Sequence, residues 1–161
     1  MFGLIIEPAI LLGTAAAVTQ YWTHSKVTMW GIINRFARSL IPLGFGIWLA
    51  HYGFHFFTGA LTIIPVTQNA CRMAFGLDLL GKPMWQMGGL PESVVYPMEL
   101  GFLGLGLLGS LLVCWRIASQ FNSQAPTKAF FPWSVVIITL FVSACWILTQ
   151  PMDMRGTFLG G

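Results

Sequence analysis

Charge is what this sequence has least of. Only 8% of its 161 residues are Asp, Glu, Lys or Arg, where soluble globular domains carry roughly a quarter. Five acids and eight bases cannot coat a water-facing surface. That excludes a soluble globular domain, and with it the nucleic-acid-binding modules that a net charge of +3 alone would admit. Cysteine is scarce too. Cys71, Cys114 and Cys145 stand far apart with no CxxC or Cys/His spacing, so nothing signals an iron–sulfur cluster or a zinc centre in this chain, and the three read as small packing residues. No basic stretch precedes the first apolar run, which carries Glu7 instead; the opening segment therefore reads as a retained span, not a cleaved leader. Internal repeats and low-complexity segments are missing as well.

What the sequence has in excess is hydrocarbon, at 56% apolar residues. Lipid is the solvent in which such a chain needs no polar coat. A helix needs about 20 apolar residues to cross roughly 30 Å of bilayer core, and four segments qualify: about Phe2–Tyr21, Leu40–Ile64, Val95–Trp115 and Phe131–Gln150. The expected fold class is all-α, one polytopic transmembrane domain built as a four-helix bundle. The connections after the first and third spans hold Lys26, Arg35, Arg38, Arg116 and Lys128 and no acid. Every acidic residue falls on the other side. Positive charge marks the cytoplasmic face, so both termini are expected outside the cytoplasm, in a bacterial inner membrane.

Two connections have internal patterning. In the first, Trp30, Ile33, Phe36 and Leu40 recur at helical spacing, with Asn34, Arg35 and Arg38 as polar positions, which predicts an interfacial helix on the cytoplasmic surface. The long outer loop carries a helix-start signal at Thr67, a short segment to Leu80, and Gly81 with Pro83 as a stop. The run Met84–Pro91 behind it suits an interfacial cap or lid.

The strongest chemical signal is His51-Tyr52-Gly53-Phe54-His55 inside the second span, because ionisable groups at membrane depth are costly and mark functional interiors. Spaced i and i+4, the two imidazoles share one helical face with Gly44 and Thr58. A single metal ion would need further ligands that the sequence does not offer. Haem b takes axial histidines from opposite sides of the macrocycle, so this pair cannot bracket one haem without a ligand from another subunit. A quinone asks only for a hydrogen-bond partner in an aromatic pocket, which His51 or His55 with Phe54, Phe56 and Phe57 would furnish. The plain structural alternative is a pair of neutral histidines bonded to helix carbonyls or a neighbouring subunit.

Carboxylates form a second constellation. Glu7 and Glu99 lie near the outer ends of spans one and three, where they read either as proton-transfer groups beside a quinol site or as charges complementing helix N-termini. Asp153 and Arg155, just beyond span four, are candidates for docking a partner. Gly46, Ala50 and Gly53 oppose the histidine face, and Gly106 with Ser110 gives a small-xxx-small pair in span three. No nucleophile, metal cage or acid–base pair occurs at a credible spacing, so no catalytic and no metal-binding residue is assigned.

The stretch from Ile41 to Phe56, Ile-Pro-Leu-Gly-Phe-Gly-Ile-Trp-Leu-Ala-His-Tyr-Gly-Phe-His-Phe, together with the tail Gln150-Pro151-Met152-Asp153-Met154-Arg155-Gly156-Thr157, resembles membrane segments of bacterial polyferredoxin-type electron-transfer proteins. The chain departs from them in lacking the cysteine runs that ligate their clusters. What the resemblance implies is a non-catalytic membrane subunit of an electron-transfer complex that anchors redox subunits and contributes His51 and His55 to a quinone or haem environment. A small transporter, a metal-handling protein and a purely structural assembly subunit are the alternatives.

Overall fold

The computed structural model describes residues 3–76, 81–84 and 89–150, with side chains from Ile6 onward and excepting Glu92. Among them every regular element is helical: α1 (Gly3–Thr23), α2 (Met29–Phe36), α3 (Ile41–Gly59), α4 (Ile63–Phe75), α5 (Glu92–Phe121) and α6 (Pro126–Thr149), with a 3-10 turn at Ala37–Leu40 joining α2 to α3. Three helical runs have the length and hydropathy to cross a membrane: Met29–Gly59, Ser93–Phe121 and Pro126–Thr149. Most of their surface is apolar and faces outward. In water that would be unstable, whereas against acyl chains it needs no cover.

Several boundaries differ from the sequence reading, each for a local reason. The second span ends at Gly59, not Ile64, because the chain turns at 60–62 and Ile63 and Ile64 open α4. Helix α4 accordingly starts before Thr67 and stops at Gly76, whose left-handed φ of 65° ends the helix with its N–H on the Arg72 carbonyl. A glycine adopts that geometry without a Cβ clash. The stop signal lay there, ahead of Gly81. Helix α6 begins at Pro126, where a missing N–H costs nothing at the first helical position.

Contacts group the chain into two compact units. The first takes the chain up to Ile47 and Phe102–Leu148. Its core is aromatic: Phe36 lies flat on Trp133, with ring centroids 5.0 Å apart, and meets Phe121 edge-on at 5.7 Å. The Trp133 indole Nε1 donates to the Thr19 hydroxyl at 3.1 Å, which itself donates to the Ala15 carbonyl at 2.8 Å. Both polar groups are thereby satisfied inside the helix packing, as burial away from water requires. The amphipathic α2 buries Ile32 and Phe36 and leaves Asn34 and Arg35 outside, but Trp30, expected on the apolar face, is 69% exposed.

Close approach of α3 and α5 in this unit depends on the small residues that the sequence singled out. A Cβ on Gly46 would stand 2.7 Å from the Phe102 carbonyl oxygen, and one on Gly106 would stand 2.9 Å from that of Pro42. The backbones are too near for any larger side chain. Ser110 uses this proximity: its hydroxyl accepts from the Leu43 N–H at 2.9 Å, giving a partner to a donor at the start of α3, where N–H groups lack intrahelical acceptors.

The second unit takes Trp48–Gly101. Here the connection from α4 to α5 is tied down at both ends of its described part. The Met84 N–H donates to the Gln68 side-chain oxygen at 3.1 Å, and the Leu90 N–H donates to the Phe57 carbonyl at 2.9 Å. Gly89 packs so tightly against the carbonyls of Phe57 and Thr58 that only a glycine fits. Residues 85–88, part of the expected cap, lie outside the described residues.

Candidate functional site

The histidines sit on the outside. Within the second unit, Ala50, Gly53 and Phe54 make up the buried face of α3, while His51, Tyr52, His55 and Phe56 are exposed on the opposite face. The i, i+4 spacing brings the two imidazoles together as expected, edge to face with centroids 5.1 Å apart. Aromatic rings surround them: Tyr52 meets His51 at 5.3 Å, Phe54 meets His55 at 5.6 Å, and Trp48 leans on Tyr52 at 4.9 Å. The result is a patch of mixed aromatic and imidazole character on the outer surface of one helix.

Its neighbours on the helix behave differently. The Thr58 hydroxyl donates back to the Phe54 carbonyl at 2.7 Å, so it is occupied within its own helix. Gly44, by contrast, faces open space, with nothing within 4 Å of where a Cβ would stand.

Glu99 is 2% exposed, whereas His55 is exposed, so carboxyl and imidazole occupy an interior and an exterior environment of the same unit. Neither acid caps a helix. The macrodipole acts within the first turn, yet α5 begins at Glu92, about two turns before Glu99, and the first turn of α1 contains no acid. Glu7 instead stands in an open cleft between α1 and α6, whose volume is about 340 Å³. Asp153 and Arg155 lie outside the described residues.

Two imidazoles provide two of the ligands a metal would need. Among the described residues no group of three or more His, Cys, Asp or Glu side chains converges. The chemistry this face supports is therefore hydrogen bonding to a polar atom held against aromatic rings. Compared with known protein families, curated proteins and solved structures, the chain matches none.

Sequence reasoning located the histidine pair and the opposing small-residue face. It missed a second polar feature, a pocket of about 310 Å³ formed by Tyr21, Trp22, His24 and Lys128. His24 was visible only as an isolated histidine. Its backbone holds the left-handed conformation, φ 48°, which no side-chain pattern announces.

Proposed function

We propose that the chain is a non-catalytic, integral-membrane subunit of a bacterial electron-transfer complex, and that the His51/His55 face of α3 docks against a redox partner and lends hydrogen bonds to a quinone. One observation carries the reading. Two imidazoles stand exposed on a membrane-length helix, and a polar nitrogen facing hydrocarbon without a hydrogen-bond partner costs a few kcal/mol. A surface that leaves such groups outward is half of an interface. Aromatic rings beside them suit a flat conjugated head group, and a haem bound here would take one axial histidine from this chain and its second ligand from the partner.

In this reading α1 is the fourth span, and the membrane is the bacterial inner membrane with both termini outside the cytoplasm. The run Met29–Gly59 supports the placement of α2 at the surface: 31 residues at about 1.5 Å each exceed the roughly 30 Å core by half again. Its amphipathic first two turns, with Arg35 and Arg38 beyond the apolar part, then lie at the cytoplasmic interface. Asp153 and Arg155 are assigned to partner docking. The resemblance of Ile41–Phe56 to polyferredoxin-type membrane segments supports the same function, with the iron–sulfur clusters carried by other subunits.

The test replaces His51 and His55, singly and together, with Leu and with Gln, and measures recovery of the complex in mild detergent and quinol-linked electron transfer. Leu is expected to abolish transfer and Gln to retain part of it, because an amide still donates a hydrogen bond. Assembly and transfer at parental levels in the double Leu variant would overturn the proposal.

A further inference from the structure

The cleft and the pocket of the first unit share one wall residue, Trp22, which lines both. Along the cleft the walls are mostly apolar, with Leu11, Ala15 and Val18 from α1 facing Phe131, Val135 and Val136 from α6, and Glu7 and Thr14 of α1 are its polar lining. Trp22 and Phe131 pack at 6.0 Å and mark its end. Beyond them the character changes within one residue: His24 and Lys128 line the small pocket, next to Tyr21. Lys128 also stands in the first turn of α6, where the helix dipole is positive.

His24 arrives there through a backbone conformation that is uncommon for residues with a Cβ, though less so for histidine than for most. Helix α1 ends at Thr23 with the Ser25 N–H reaching back to the Gln20 carbonyl at 3.3 Å, a closure that places the intervening residue in the left-handed region and normally selects glycine. Here it is a histidine at φ 48°, at a cost of about 1 kcal/mol over glycine. The strained backbone turns an imidazole toward the lysine pocket, and strain of this kind persists where a side chain is wanted.

We propose that this cleft and pocket form one binding site for an anionic phospholipid, with the phosphate against Lys128 and His24 and one acyl chain laid along the α1/α6 wall. The inference rests on the membrane placement of the chain but is independent of the histidine face. Dimensions agree: one leaflet of about 15 Å is ten residues of helix, the distance from Trp22 back to Leu12. Tryptophan belongs at the boundary between chain and head group. In the proposed topology the pocket lies on the side of the two connections that hold Lys26, Arg35, Arg38 and Arg116, which draws anionic lipid to that surface.

The test uses the full chain, purified in neutral detergent and supplied with phosphatidylglycerol or phosphatidylcholine of identical acyl chains, with retained lipid counted by native mass spectrometry. Phosphatidylglycerol is expected to be retained about fivefold better, the order of one lysine acting at an anionic surface, and Lys128→Gln to remove that preference. Val135→Trp, which fills the cleft from an exposed position, is expected to lower retention of both lipids. His24→Gly keeps the left-handed turn and relieves it, so it is expected to raise thermal stability while lowering phosphatidylglycerol retention. Equal retention of the two lipids, or no effect of Lys128→Gln, would overturn the proposal. So would displacement of the lipid by millimolar inorganic phosphate, which would mark a free-anion site, or uptake of a quinone in place of phospholipid with no dependence on Lys128.

Discussion

The core hydroxyls of the first unit and the histidine pair of the second have opposite fates. In the first unit they are turned inward and satisfied by the chain itself: Thr19 by Ala15 and Trp133, Ser39 by the Phe36 carbonyl at 2.6 Å, Ser110 by Leu43. In the second unit the two histidines are turned outward on a face where the buried positions of the same helix are Ala50, Gly53 and Phe54. The outward placement of His51 and His55 is what motivates the proposed docking partner.

The comparison makes the first unit sensitive and the histidine face tolerant when the chain is alone. The largest loss is expected from Trp133→Ala, which removes the stack on Phe36 and the indole bond to Thr19. Large-to-small aromatic changes in cores cost about 3–5 kcal/mol, and thermal melts of the chain in mild detergent should show a correspondingly large fall in midpoint. Gly46→Leu follows, at about 1–3 kcal/mol for overpacking, since its Cβ would press on a backbone oxygen that cannot swing away. Ser110→Ala strips the acceptor from the Leu43 N–H and should cost about 1–2 kcal/mol, and Ser110→Thr, which keeps the hydroxyl but adds a methyl, is expected to be destabilising through the close helix contact. The double His51→Leu, His55→Leu variant is expected to melt within about 0.5 kcal/mol of the parent while the assembled complex is lost. A large destabilisation of the isolated chain by that variant would erase the difference between the units.

Much of this arrangement was legible in the sequence, and the omissions have a physical pattern. Hydropathy pointed to four spans, of which three helical runs among the described residues have the length and hydropathy to cross a membrane; helical periodicity set Gly46, Ala50 and Gly53 opposite the histidines, because both depend on short-range spacing. Boundaries failed where an apolar run continued through a turn: Ile63 and Ile64 are as hydrophobic as the span before them, yet begin another helix. Trp30 misled because its apolar bulk matched the amphipathic pattern, while the packing buries Ile32 beside the expected Phe36. The Thr19–Trp133 bond joins residues 114 apart, and the His24–Lys128 pocket joins two helix ends. Only tertiary packing brings such pairs together.

The central claim, that the His51/His55 face is covered by a partner or a quinone in the native membrane, is tested most directly by photocrosslinking. A benzophenone amino acid is placed at Tyr52, between the two histidines, and for reference at Leu112, an exposed position of the first unit. The account predicts that the Tyr52 probe forms a discrete adduct with one polypeptide or with quinone, and that this adduct disappears when both histidines are leucine. The Leu112 probe should yield lipid adducts under the same irradiation. Lipid adducts alone from both positions would show that the histidine face is bathed in acyl chains, and would contradict the account.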